Sequence, residues 1–250
     1  MSGRIAIAGK GGVGKSTIAA LLVRALHERT GKIIMAVDAD PNSNLGEKLG
    51  IKVERTIGDI REDIMKRADD IPVGQSKQEY VRYQMRLALV EGEGFDLLSM
   101  GRPEGRGCYC YINNILRTFL DLAMDDYEYV VIDNEAGMEH LSRRTTKSMD
   151  VLLLVSDPSR VGVETASRLL VLAKEMGLVV KKSVLFVNGI RTGLHPSVQE
   201  QIEKLKVDRV EYIPFSNDIL NSSAEGSSIW ELSGEDHAYK AVSNALSHML

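Results

Sequence analysis

The chain has 250 residues, 44% of them hydrophobic and 26% charged, a balance ordinary for a globular protein that buries its core without disulfides or structural metals. Its net charge of −4 offers nucleic acid no attraction, so no nucleic-acid partner is expected. The apolar start Ile5–Ala8 runs straight into glycines, which reads as a strand and not as a signal peptide or membrane span, so a cytoplasmic protein with no membrane partner is expected.

Apolar runs alternate with helical patterns along the chain. The first predicted strand is Arg4–Ala8, followed by a helix over Lys15–Arg29 and a strand over Lys32–Asp38. Thr56–Glu93 interrupts the pattern: it is rich in charge, has Met and Tyr at helical spacing and shows no obvious strand. It reads as a helical insertion covering the sheet. Next come a strand Phe95–Met100, a helix Ile112–Met124 and strands Tyr129–Asp133 and Val151–Ser156. A helix Val161–Met176, a strand Ser183–Asn188, a helix Pro196–Lys206 and a strand Arg209–Pro214 complete the series. Runs such as Val151-Leu152-Leu153-Leu154-Val155 are apolar throughout, as in strands covered on both faces. The expectation is one α/β domain over 1–250. Its sheet is doubly wound and mostly parallel, of about seven or eight strands, with helices on both faces and ligands at the carboxyl ends of the strands.

Gly9-Lys10-Gly11-Gly12-Val13-Gly14-Lys15-Ser16-Thr17 fits the phosphate-loop pattern, placed between a strand and a helix. The glycines let backbone N–H groups face the phosphates. Lys15 supplies a cation to the β- and γ-phosphates, the Ser16 hydroxyl suits Mg²⁺, and the helix start adds its positive dipole end. ATP and Mg²⁺ are the expected ligands and ATP hydrolysis the expected reaction.

The second lysine, Lys10, directly after the first glycine, resembles the deviant Walker A ATPases, the group of the nitrogenase iron protein, MinD and ParA. The resemblance implies a nucleotide-sandwich homodimer in which Lys10 reaches the partner's phosphates. Asp38-Ala39-Asp40-Pro41 follows the second strand, where two Asp at i and i+2 share a face. It matches the family's first switch, which implies that Asp40 helps activate water and that Asp38 lies near Mg²⁺. Tyr129–Asp133 is an apolar strand ending in a carboxylate suited to Mg²⁺, and Asn134-Glu135-Ala136-Gly137 stands at the second switch. The family often has Ser-Pro or Thr-Pro where Asn134-Glu135 stands. In the family, the counterparts of Asn188, Pro214 and Phe215 read adenine.

Cys108-Tyr109-Cys110 ends a glycine-rich stretch beginning at Gly101 and flanked by Arg106. Thiols in such a setting are available as thiolates, which suit Zn²⁺, Ni²⁺ or Cu(I). Two thiolates are half of a four-coordinate site, and the same pair from a second subunit would complete it. The combination of the lysine-rich loop, Cys-x-Cys and Asp-Asn-Glu-Ala-Gly-Met-Glu-His resembles the carbon monoxide dehydrogenase maturation ATPases (CooC type, including AcsF-like members) over essentially the whole chain. That implies a metallochaperone which inserts nickel into a client nickel–iron–sulfur enzyme, carbon monoxide dehydrogenase or acetyl-CoA synthase. His140 reads as structural. A MinD- or ParA-like spatial organiser and an iron–sulfur cluster carrier are the alternatives. The organiser is disfavoured by the acidic balance and by a C-terminal stretch, Tyr239–Leu250, with a weak apolar face and one Lys.

Overall fold

The computed structural model describes residues 3–40, 44–66, 76–101, 124–134 and 148–249. Its centre is an eight-stranded sheet in the order β3-β4-β2-β5-β1-β6-β7-β8. The strands are β1 Gly3–Gly9, β2 Ile34–Ala39, β3 Leu89–Gly92, β4 Phe95–Ser99, β5 Tyr129–Asn134, β6 Ser148–Ser156, β7 Val179–Ile190 and β8 Arg209–Pro214. Every pairing is parallel except β3 with β4. The eight-stranded, mostly parallel sheet matches the expected fold class.

The helices are α1 Lys15–Thr30, α2 Leu45–Lys48, α3 Ile57–Lys66, α4 Lys77–Arg86, α5 Arg160–Glu175, α6 Pro196–Lys204, α7 Asn217–Glu225 and α8 His237–Met249, with a 3₁₀ turn at Ile229–Glu231. Strand alternation divides the core between the two faces of the sheet. Val151, Leu153 and Val155 of β6 pack with α1 and α8, whereas Leu152 and Leu154 pack with α3, α4, α5 and α6. This double cover is why β6 is apolar at consecutive positions. α1 is buried continuously from Ile18 to Leu26, as a helix enclosed between a sheet and a second helix must be.

One expectation needs correction. The Thr56–Glu93 region holds α3 and α4 but also β3, which joins the sheet antiparallel to β4 through Leu89 opposite Leu98 and Gly92 opposite Phe95. β3 is short and only half-buried, so it lacks the apolar run that marks the inner strands. Tyr239–Leu250 overlaps α8, whose Ala238, Val242, Ala245, Leu246 and Met249 belong to the core beside α1. Its apolar face is consumed inside the protein. Among the described residues no helix is long and apolar enough to cross a membrane. The predicted helix Ile112–Met124 lies outside the described residues apart from Met124.

Candidate functional site

β1 lies between β5 and β6, at the point where chain connections depart to either side, and the crevice of such a sheet opens at its carboxyl end. Gly9 ends β1 opposite Val155. A Cβ on Gly9 would stand 2.3 Å from the Val155 carbonyl oxygen, so the two backbones run this close only with glycine there. Gly12 and Gly14 take φ of 80° and 93°, the left-handed conformation that turns successive N–H groups toward one concavity. α1 begins with no side-chain cap bond and no acidic residue in its first turn. Its leading N–H groups and positive dipole end are therefore available to an anion.

The rest of the loop is held from two sides. Lys15 is buried, and its Nζ donates to the Lys10 carbonyl oxygen at 3.2 Å. From β7, Asn188 Nδ2 donates to the Val13 carbonyl oxygen at 2.8 Å. Lys10, Gly11 and Gly12 are exposed, Val13 is buried, and Ser16 and Thr17 are half-buried.

Register then assembles the polar row of the site. Asp38 of β2 is paired with Asp133 of β5 on one side and with Ser99 of β4 on the other. Ile34, Ala36, Phe95, Leu97 and Val131 belong to the α1-side core, so alternation turns Asp38, Ser99 and Asp133 to that same side. All three are buried. Asp38 Oδ1 accepts from the Asp40 N–H at 3.1 Å and Oδ2 from the Leu45 N–H at 3.0 Å. One carboxylate thus pins both ends of the segment containing Pro41, Asn42 and Ser43, which lie outside the described residues. Asp40 itself stands one residue past the end of β2, half-buried, near enough for its charge to act on Asp38 and Asp133.

Neither oxygen of Asp133 meets a hydrogen-bond partner, although the Ser16 hydroxyl lies close enough to favour its charged form. Burial pushes Asp133 up to about 7; Ser16 opposes this, the charge of Asp38 adds to it, Lys15 opposes and Asp40 adds. Burial likewise lifts Asp38 to about 6 against the N–H bonds from Leu45 and Asp40. Two buried carboxylates with so little compensating charge suit a divalent cation, which reverses the local proton balance. The loop suits a polyphosphate, so the arrangement fits Mg²⁺ bound to a nucleoside triphosphate.

Asn134, the last residue of β5, ties that strand to β1 by donating from Nδ2 to the Ile7 carbonyl oxygen at 2.8 Å. Glu135, Ala136, Gly137 and His140 lie outside the described residues, as do Cys108 and Cys110. Pro214 ends β8 and Phe215 follows it, half-buried. Asn188 is nearby, but one amide N–H is committed to the phosphate loop. Sequence reading missed Ser99, a buried hydroxyl without a partner in line with Asp38. Its signal was a polar residue closing an apolar strand at the carboxyl end, the position that marked Asp133.

The sequence profile of the nucleotide-binding domain shared by CobQ, CobB, MinD and ParA matches residues 5–229. This chain belongs to the CobQ/CobB/MinD/ParA family. It is an ATPase of that type. An uncharacterised ATP-binding protein of Methanocaldococcus jannaschii is 43% identical over 240 residues, covering 95% of this chain and 94% of the relative. The carbon monoxide dehydrogenase accessory protein CooC of Rhodospirillum rubrum is 31% identical over 242 residues, covering 92% and 90%. Among solved structures, a ParA family ATPase of Chlorobium tepidum superposes with a TM-score of 0.72 at 20% identity, over 100% of this chain and 99% of that one. That likeness speaks for the fold alone.

Proposed function

We propose that this ATPase is a maturation factor that couples ATP binding and hydrolysis to the insertion of nickel into carbon monoxide dehydrogenase or acetyl-CoA synthase. The observation that carries the reading is near full-length similarity to a carbon monoxide dehydrogenase accessory protein in a chain that also holds Cys108-Tyr109-Cys110. In this reading, the two cysteines and their counterparts in a second copy form a four-thiolate site for Ni²⁺ or Zn²⁺. The metal there is cargo.

The nucleotide site would drive the cycle. Gly9, Gly11, Gly12, Val13, Gly14, Lys15, Ser16 and Thr17 hold the phosphates, while Ser16 and Asp133, with Asp38 behind them, hold Mg²⁺. Bound there, Mg²⁺ would supply positive charge against the phosphates. Lys10, exposed on the loop, serves the partner subunit's phosphates, and Asp40 orients the attacking water. Asn188, Pro214 and Phe215 border the base. A route from nucleotide to metal is supported at β4: Met100 N–H donates to the Asp38 carbonyl oxygen at 2.8 Å, immediately before Gly101, where the glycine-rich stretch begins. A change in the Asp38 segment would therefore reach Met100 and Gly101, the start of the stretch that leads in sequence to Cys108 and Cys110.

The deciding experiment measures bound metal and molecular mass after loading with nickel or zinc, with and without ATP. The comparison is a Cys108→Ala/Cys110→Ala variant. A cysteine-dependent metal at about one ion per two chains supports the reading. Loss of neither metal nor mass in the variant would sink it.

A further inference from the structure

The carboxyl end of β7 carries a group that the phosphate loop and the carboxylates do not use. The strand bulges between Asn188 and Ile190. Gly189 there takes φ of 78°, with nothing within 4 Å of where a Cβ would stand. The bulge brings Ile190 opposite Pro214, and the Phe215 N–H donates to the Ile190 carbonyl oxygen at 2.9 Å. Arg191 then lays its guanidinium over the Phe215 ring, with Cζ 3.5 Å from the centroid. Phe215 is half-buried while Arg191 is exposed, so one face of the guanidinium is seated and the other faces outward. Among the described residues no carboxylate pairs with Arg191.

The strand end that carries this stack is tied to the phosphate loop. Asn188, three residues before Arg191, donates its amide to Val13 in the loop, and the Asn188 amide stands 2.6 Å from where a Cβ of Gly14 would be. The strand end that carries the stack is therefore fastened to the loop that cradles the phosphates. A nucleotide held by that loop has its base one ribose away from the phosphates. The Asn188 amide, with one N–H spent on the loop, keeps its other N–H and its oxygen for the edge of a base, but offers no surface for the base's flat face. A planar guanidinium preset on an aromatic ring supplies a flat surface suited to a base.

We propose that Arg191, seated on Phe215, is the base-stacking residue of this ATPase and sets its preference for purines. The guanidinium packs its outer face against the base, and a purine's two fused rings cover more of that face than a pyrimidine's single ring. The stack adds affinity for the nucleoside part and none for the phosphates.

The test measures equilibrium binding of ATP, CTP and inorganic tripolyphosphate, each with Mg²⁺, to the full-length protein and to Arg191→Ala and Arg191→Lys variants. Arg191→Ala is expected to weaken ATP about fivefold, to weaken CTP less and to leave tripolyphosphate unchanged. Arg191→Lys, which keeps the charge without the plane, should resemble Arg191→Ala. Full recovery by lysine, or an equal loss for ATP and tripolyphosphate, would overturn the proposal by showing that the residue acts through charge on the phosphates. Unchanged ATP binding in Arg191→Ala would overturn it outright. Because the side chain is exposed, either variant is expected to fold, and matched melting curves verify that.

Discussion

Asp133 stands at the end of an apolar strand with both oxygens buried and unbonded, and burial disfavours the charged form of a carboxylate. In the unfolded chain it titrates at the ordinary value of 3.8, and in the folded chain at about 7. Below the lower value both states hold the proton. Between the two values only the folded state keeps it, so nucleotide-free stability falls as pH rises through that window and levels off above about 7. Asp38, lifted to about 6, works in the same direction. Bound Mg²⁺ must displace the proton. Stabilisation by Mg²⁺ and ATP should therefore be larger at about pH 8 than at about pH 6, with the apparent Mg²⁺ affinity tightening up to about tenfold per pH unit below the Asp133 value. Thermal melts across Mg²⁺ titrations would measure this. Asp133→Asn should flatten the dependence; a wild-type response independent of pH would contradict the assignment.

Among the elements, α1 has two tasks: it opens at the phosphate loop and closes as the anchor of the C-terminal region. Arg24, buried in the middle of α1, carries the second task. Its Nη1 donates to the Ile229 and Leu232 carbonyl oxygens at 2.9 and 2.7 Å, and its Nε to Glu28 at 2.7 Å. The guanidinium lies 4.4 Å from the centroid of Tyr239, the hydroxyl of which donates to Glu28. Trp230 of the 3₁₀ turn stacks on Phe95 of β4 with centroids 5.8 Å apart. Removing Arg24 strands the Ile229 and Leu232 carbonyls and strips α8 of the guanidinium that covers Tyr239. Arg24→Ala should cost about 3 kcal/mol, read as a lower urea midpoint at unchanged slope. Arg24→Lys should recover little, because an ammonium cannot serve three acceptors and an aromatic face together. This latch was not legible beforehand. A lone Arg in an apolar helix carries no trace of partners two hundred residues later. β3 escaped for a related reason, since it gains its strand character from pairing with β4 and not from its own short pattern. The inner strands were legible because burial on both faces leaves a continuous apolar run.

For the whole molecule, the exposure of Lys10 at the phosphate loop sets up a test of assembly. Under the proposed sandwich dimer, Lys10→Ala should retain ATP binding within about threefold but lose ATP-dependent doubling of mass in light scattering. A variant that still doubles its mass with ATP would remove Lys10 from the interface.

The division between sequence and tertiary structure follows the range of the interactions. The phosphate loop was readable because its function depends on consecutive residues: glycine φ angles at Gly12 and Gly14 and the helix that starts at Lys15 are set locally. Asp133 and Asp38 were readable as acids ending apolar strands, a pattern that parallel sheets impose. Only the folded chain decided that Ser99 lines up with Asp38, that Asp38 spends both oxygens on the N–H groups of Asp40 and Leu45, that Asn188 braces Val13, and that Arg191 lies on Phe215. Register between strands sets Ser99 beside Asp38, and a bulge within β7 precedes Arg191. A one-residue slip in the sheet would send Ser99 to the opposite face, so no pattern of neighbours along the chain could have paired it with Asp38.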